Sequence, residues 1–380
     1  MDQPSTLFQQ RRSLEVARTP VLDRIFSESK IGMIHLMERS LPFDPADSFL
    51  KMFSVLDGPF HDSSGQIEAL GMNLSIPKGN SAFRCDLVTV ENQLMVDWTA
   101  GAIGSKEATL LVKSLEKSLS EEGITLINSG GYRNILYIPD KMLEGDSGEL
   151  SCVAPWGVFG KPVDLNFPKG KGSAFITNLM RHSQHVFQDH EVNQIRVDLG
   201  ENPATMAWVW GGKSINTDKI SMESQLAAYL FSDDPQMRGS AHLLHMENSR
   251  LNHIFHDSLD EDVLRSHIDS RQFVIIHAGL KIEKEFRENI HERIKRIETW
   301  DASFLEDLMG VLSAYSHRRI LFLLSPRKWD MVGTDLPYML WGDGIDPSKI
   351  KSEKSDIFHK KFRSTKKNKL IKMFFEKKSL

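Results

Sequence analysis

The sequence predicts an α/β protein of two domains, or of one large domain carrying an insertion, and three observations predict it. Apolar and β-branched runs such as Ile31–Met37 and Ile320–Leu324 alternate with segments of helical apolar spacing such as Ser105–Leu119 and Glu283–Asp301. A length of 380 residues exceeds what one ordinary core needs. The composition, 40% hydrophobic and 26% charged with net charge −4, is ordinary for a globular protein.

The same composition excludes several classes. The two cysteines, Cys85 and Cys152, are far apart and lack C-x-x-C spacing. That argues against a disulfide framework or a structural zinc site and fits a reducing cytoplasm, the expected location. No apolar run approaches the roughly 18 residues of a membrane span. The first residues, MDQPSTLFQQRR, contain no apolar signal core.

In chain order, Arg12–Ile25 reads as a short helix, a turn before Pro20 and a second helix. Ile31–Met37 reads as a buried strand, and Pro42 and Pro45 break the loop after it. Ser48, following Asp47 and preceding an apolar helix, has the character of an N-cap. Ser81–Ile103 reads as a hairpin turning at Glu91-Asn92, with Val88, Val90, Leu94 and Val96 supplying strand character. Ser105–Leu119 is a helix with Ala108, Leu111, Val112, Leu115 and Leu119 on one face, and Gly123 ends it. Ile124–Ile127 and Ile135–Ile138 are strands, and a helix surrounds Phe175–Phe187. Strands at Gln272–Ile276, Ile320–Leu324 and Pro337–Trp341 and the helix Glu283–Asp301 fill the last third.

Several of these stretches carry a family pattern. A-F-R-C-D-L-V-T-V at Ala82–Val90, followed by M-V-D-W-T-A-G at Met95–Gly101, resembles the signature of the cofactor (2,3-bisphosphoglycerate)-independent phosphoglycerate mutases of archaeal type. Those enzymes belong to the alkaline phosphatase superfamily. G-G-Y-R-N-I-L-Y at Gly130–Tyr137 resembles the family's G-V-S-Y-R-H-L-L, and H-E-V-N-Q-I-R at His190–Arg196 its H-P-V-N-x-x-R. Met206–Lys213 is similar to I-W-L-W-G-Q-G. The resemblance runs from about Arg12 to about Trp341. It implies an alkaline-phosphatase-like core, a mostly parallel sheet flanked by helices, over 1–61 and 191–345. It also implies an inserted α/β domain at 62–190, and it leaves 346–380 as a tail.

The family interconverts 3- and 2-phosphoglycerate through a phosphoserine held by two manganese or zinc ions. Ser48 stands at the nucleophile position, but Phe49 follows where the family has a metal-binding Asp. The remaining ligand positions carry Ile282, Phe286, Ser325, Pro326 and Val332. Met1 falls where the Met of the family's I-G-D-G-M would fall, so the first strand and its Asp are absent from this sequence, either because the chain is shorter there or because its start was assigned too late. The resemblance therefore implies a degenerate member with no metal cofactor, since Ile, Phe, Pro and Val offer no lone pair. The pairs His182/His185, His242/His245 and His253/His256 lack carboxylates at ligand spacing and read as incidental. On the insert side Arg84, Arg133, Lys161, Asn193 and Arg196 match family positions, which implies an anion pocket for a phosphorylated three-carbon acid. Ala102, for a family His, and Trp156-Gly157, for His-Asp, count against an intact substrate site.

The tail from Asp346 carries twelve Lys/Arg against four Asp/Glu, a net +8 that leaves −12 elsewhere. From Lys366 onward it reads as a basic amphipathic helix, either docked on the core or facing a polyanion, a membrane surface or a protein partner. The expected function is that of a phosphoglycerate mutase-like protein, catalytically impaired or inactive, retaining at most phosphate-ligand binding. The alternatives are a weakly active mutase with a rebuilt site and a scaffold acting through the tail.

Overall fold

Proline opens three helices. In the computed structural model α1 (Ser13–Val16) and α2 (Pro20–Ser27) are separated before Pro20, as the sequence predicts. Pro20 lacks the N–H that a first turn leaves unbonded in any case. β1 (Lys30–Ile34) follows, then α3 (Pro45–Phe53). Because α3 starts at Pro45, Ser48 lies inside its first turn and is not the N-cap the sequence indicated. Next come α4 (Ser64–Gly71), β2 (Asn80–Glu91) and β3 (Leu94–Asp97). The hairpin turns on Asn92 and Gln93, at φ 49° and 64°, one residue later than expected. A two-residue turn of this hand needs two left-handed residues, and Glu91 stays extended opposite Leu94.

α5 (Ser105–Ser118), β4 (Thr125–Gly130), β5 (Arg133–Pro139), α6 (Ser173–Gln188), α7 (Glu191–Asp198) and β6 (Met206–Trp210) complete the middle of the chain. β7 (Ala228–Ser232), α8 (Pro235–Leu243), β8 (Glu247–Ser249), α9 (Glu261–Ser270) and β9 (Phe273–His277) follow. The last elements are α10 (Ile290–Trp300), α11 (Glu306–Ser313), β10 (Arg319–Leu323), β11 (Leu336–Gly342), β12 (Ser364–Thr365) and α12 (Lys367–Phe375). The structure describes residues 13–34, 45–53, 60–119, 122–143, 150–215, 220, 227–253, 258–270, 273–277, 290–316, 318–323, 336–348 and 364–375. Among them no helix is long and apolar enough to cross a membrane.

The chain divides into two units. One comprises Met1–Phe43, Leu251–Val274 and Glu288–Leu380. Its sheet has the order β10-β11-β1-β12. β11 is antiparallel to both β10 and β1, which therefore run in one direction, and β12 is parallel to β1. A turn of π-helix at Asp301–Leu305 joins α10 to α11. Asp301, expected as the last residue of the helix from Glu283, opens this π turn and caps another helix: its carboxylate accepts the amides of Val21 (3.1 Å) and Leu22 (2.8 Å) at the start of α2. The end of the tail is docked on this unit. Leu370 is fully buried, Phe374 meets Phe273 edge to face, and Arg319 donates to the Met373 and Phe374 carbonyls.

The other unit comprises Asp44–Arg250 and Ile275–Arg287, and the whole expected insert lies in it. Its main sheet has the order β3-β2-β5-β4, with β6 also paired to β2, and every described pair is antiparallel. α4 is clamped over this sheet. A Cβ on Gly65 would lie 2.3 Å from the Ala82 carbonyl oxygen on β2. On its other side α4 crosses α8 with backbones in contact: a Cβ on Gly71 would lie 1.7 Å from Pro235 O, and one on Gly239 1.7 Å from Ile67 O. β7 and β8 are parallel, and the end of β9, Ile275–His277, belongs to this unit. The sheet, α4 and α8 bring together the residues described next.

Candidate anion site and its charge network

Glu68 projects from α4 and is fully buried. It accepts Arg84 Nη1 at 2.7 Å from β2 and Arg133 Nη2 at 2.7 Å from β5. Its other oxygen accepts Arg133 Nε at 3.2 Å and the Ser129 hydroxyl. Arg84 continues to Asp86, at 2.6 Å, whose second oxygen accepts Trp210 Nε1 at 2.8 Å. The Arg84 guanidinium also lies 5.1 Å from the Trp210 ring centre. Arg133 forms a fork on Asp234, at 3.1 and 3.2 Å, and Asp234 caps α8 by accepting the Gln236 amide. Two guanidinia are thus held by three carboxylates before any ligand is considered.

The charges are mutually enforced. Burial opposes the Arg84 cation, but Asp86 and Glu68 outweigh it and raise its pKa. Burial likewise opposes the Arg133 cation, yet Asp234 and Glu68 raise it well above the ordinary value. Burial opposes the Asp234 carboxylate too, but Arg133 outweighs it and holds the acid below the ordinary carboxylate range. Burial pushes Asp86 up against the pull of Arg84 and Trp210. Both its oxygens face donors, which only the carboxylate accepts, so we take the Arg84–Asp86 pair as ionised.

At the edge of the network His277 Nδ1 is 2.8 Å from Ser232 Oγ, which also accepts the Asp234 amide. Burial, more than any other influence, lowers the His277 pKa, so the ring is neutral in the fold. A base depressed on folding contributes stability above its unfolded pKa and loses it as pH falls from that value through the lower folded one. Unfolding free energy measured by urea melts should therefore drop as pH is lowered below about 6.5. His277→Gln should flatten that slope, and an unchanged slope would remove His277 as the cause.

The other residues expected in one anion pocket have separate partners. Arg196 on α7 bonds Glu107 (2.9 Å), Glu201 (3.0 Å) and the Ala100 (2.8 Å) and Asn202 (3.0 Å) carbonyls. Ala100, Gly101 and Ala102 are all left-handed, at φ 46°, 68° and 50°, so the turn that presents the Ala100 carbonyl is strained. Asn193 ties the Phe187 carbonyl to the backbone of Ala204. Lys161 is exposed and donates to the Gly157 carbonyl at 2.8 Å. Trp156 packs edge-on against Trp210 and Trp98, with ring centres 4.8 and 6.0 Å apart. Ser48 is buried, and the neighbouring Phe49 stacks in tilted fashion on Phe53 at 5.1 Å. Ile282, Phe286, Ser325, Pro326 and Val332 lie outside the described residues.

Residues 28–193, which contain Ser48, Glu68, Arg84 and Arg133, match the family of 2,3-bisphosphoglycerate-independent phosphoglycerate mutases. The mutase of Methanosarcina mazei is 24% identical over 81% of this chain and 78% of its own. A second mutase, from Methanothermobacter thermautotrophicus, is 25% identical over 92% and 88%. The chain is phosphoglycerate mutase-like, of the archaeal type. The mutase of Methanosarcina barkeri is 31% identical, over 52% of this chain and 49% of its own. A solved Pyrococcus horikoshii protein covers 97% of the chain at a TM-score of 0.60 and 15% identity, a likeness of fold. The mutase-like chain thus has the expected α/β fold, but most of its described strand pairs are antiparallel where a mostly parallel sheet was expected, because neighbouring strands such as β4 and β5 are joined by short turns.

One residue beside this charge network was not legible in the sequence. Arg238 on α8 is only 7% exposed, and it donates to two carbonyls, Gly71 O at 3.1 Å and Ser232 O at 2.9 Å. It makes no ion pair among the described residues. Burial first, and then Arg250, lower its pKa. The Asp234-Pro235 pair that opens α8 was the available signal, since it marks a helix start with the next turns facing the site.

Proposed function

We propose that this phosphoglycerate mutase-like protein has lost two-metal phosphoryl transfer and binds a phosphorylated three-carbon acid weakly, without metal, through Arg238 and Arg133. The observation that carries the binding half is Arg238, a buried guanidinium satisfied by carbonyls and short of a counter-charge. A bound phosphate or carboxylate would supply that charge bidentately. Arg133 is the second cation because its partner Asp234 is 28% exposed and can yield to a ligand, whereas Glu68 and Asp86 are fully buried.

The residues present do not fit the family's metals. Phe49, at a ligand position, has its ring packed on Phe53 and offers no lone pair. Ile282, Phe286, Pro326 and Val332 likewise have no donor atom to give. No phosphoryl-transfer step is therefore assigned to Ser48. The reading that places function in the tail has less support, because the apolar face of α12 is already engaged by the protein itself.

Calorimetric titration with 3-phosphoglycerate, once in EDTA and once with manganese, tests the proposal. Equal binding in both is expected, weakened about tenfold by Arg238→Lys, which keeps the charge but loses the fork. Binding that requires manganese, or turnover to 2-phosphoglycerate, would overturn it.

A further inference from the structure

A cavity of about 470 Å³ lies where α6 ends and α7 runs back toward β6. Its size suits a small organic molecule. Its chemistry is the opposite of the Arg network. No cation lines it, and the one charged lining residue is Asp198. Asn193 and Thr205 also border it, but both are spent: Asn193 on Phe187 and Ala204, Thr205 on the backbone of Val90. Gln194 has its amide nitrogen committed to the Asp189 carbonyl at 3.2 Å, which leaves its oxygen as an acceptor.

Gln184, Gln188 and Asp198 have side chains without a partner among the described residues. Gln184 and Gln188 belong to the last turn of α6, and Asp198 is the last residue of α7. Helix C-termini carry partial negative charge and favour cations, as does the Asp198 carboxylate. Phe187, Val197 and Pro203 give the cavity an apolar wall suited to methylene groups.

We infer that this cavity binds a small aliphatic amine, with the ammonium on Asp198 and the Gln194 oxygen and the alkyl chain along Phe187 and Pro203. The site is separate from Arg133 and Arg238 and would not take a phosphorylated acid. Pentylamine is the probe, with 1-pentanol and pentanoate as neutral and anionic counterparts of similar length. Calorimetry on the full chain should detect pentylamine and neither counterpart. Asp198→Asn should weaken pentylamine about tenfold. Asp198 is exposed, so the variant should melt at the parent temperature. Four results would overturn the inference: no heat with pentylamine, equal binding of 1-pentanol, unchanged affinity in Asp198→Asn, or tighter binding of Nα-acetyl-lysine methylamide, a peptide-like lysine with a free ε-amine, than of pentylamine.

Discussion

Glu68→Gln is expected to destabilise the protein by about 3–5 kcal/mol, the cost of leaving buried charges without their partner. The carboxylate takes donors from Arg84, Arg133 and Ser129, and an amide in its place would turn N–H groups toward those donors and leave each guanidinium with a single carboxylate. Asp86 and Asp234 remain, but each already serves one arginine. Of a domain's usual ~5–15 kcal/mol this is a large fraction. Chemical denaturation would measure it. The triple change Glu68→Met, Arg84→Met, Arg133→Met should cost more than Glu68→Gln alone, because it leaves Asp86 and Asp234 without their arginines. If the triple variant is the more stable of the two, the network stabilises by its packing and not through charge compensation.

Gly239→Ala should cost about 3 kcal/mol, near the upper end for overpacking. The added methyl would lie 1.7 Å from the Ile67 carbonyl oxygen and 3.1 Å from the Gly71 nitrogen, both backbone atoms that no rotamer change can clear. The two helices must separate, carrying Glu68 on one and Arg238 on the other. Affinity for 3-phosphoglycerate should therefore fall together with stability. Gly310→Ala in α11 is the control: its Cβ would meet nothing within 4 Å. There the lower backbone entropy of alanine should stabilise by about 0.5–1 kcal/mol. Equal effects at Gly239 and Gly310 in urea melts would mean that the α4–α8 crossing tolerates separation.

The hairpin, the helix at Ser105–Ser118 and the split before Pro20 were legible because each depends on neighbours in sequence. β-branched alternation, apolar spacing and a proline's missing N–H act within a few residues. Family motifs were legible for the same reason, since Arg84 and Arg133 each sit inside a short string that resembles a family motif. Residue types also decided, without any fold, that Phe49, Ile282, Phe286, Pro326 and Val332 offer a metal no donor atom. Only the tertiary structure decided what the arginines bind. Glu68 lies 65 residues from Arg133, Asp234 lies 101 residues from it, and Asp301 caps α2 from 280 residues away. Such pairs leave no periodic trace, because a carboxylate's partner is chosen by which elements pack together. Ser48 illustrates the same limit: as a residue type it fits a cap or a nucleophile, and the start of α3 at Pro45 put it inside the helix.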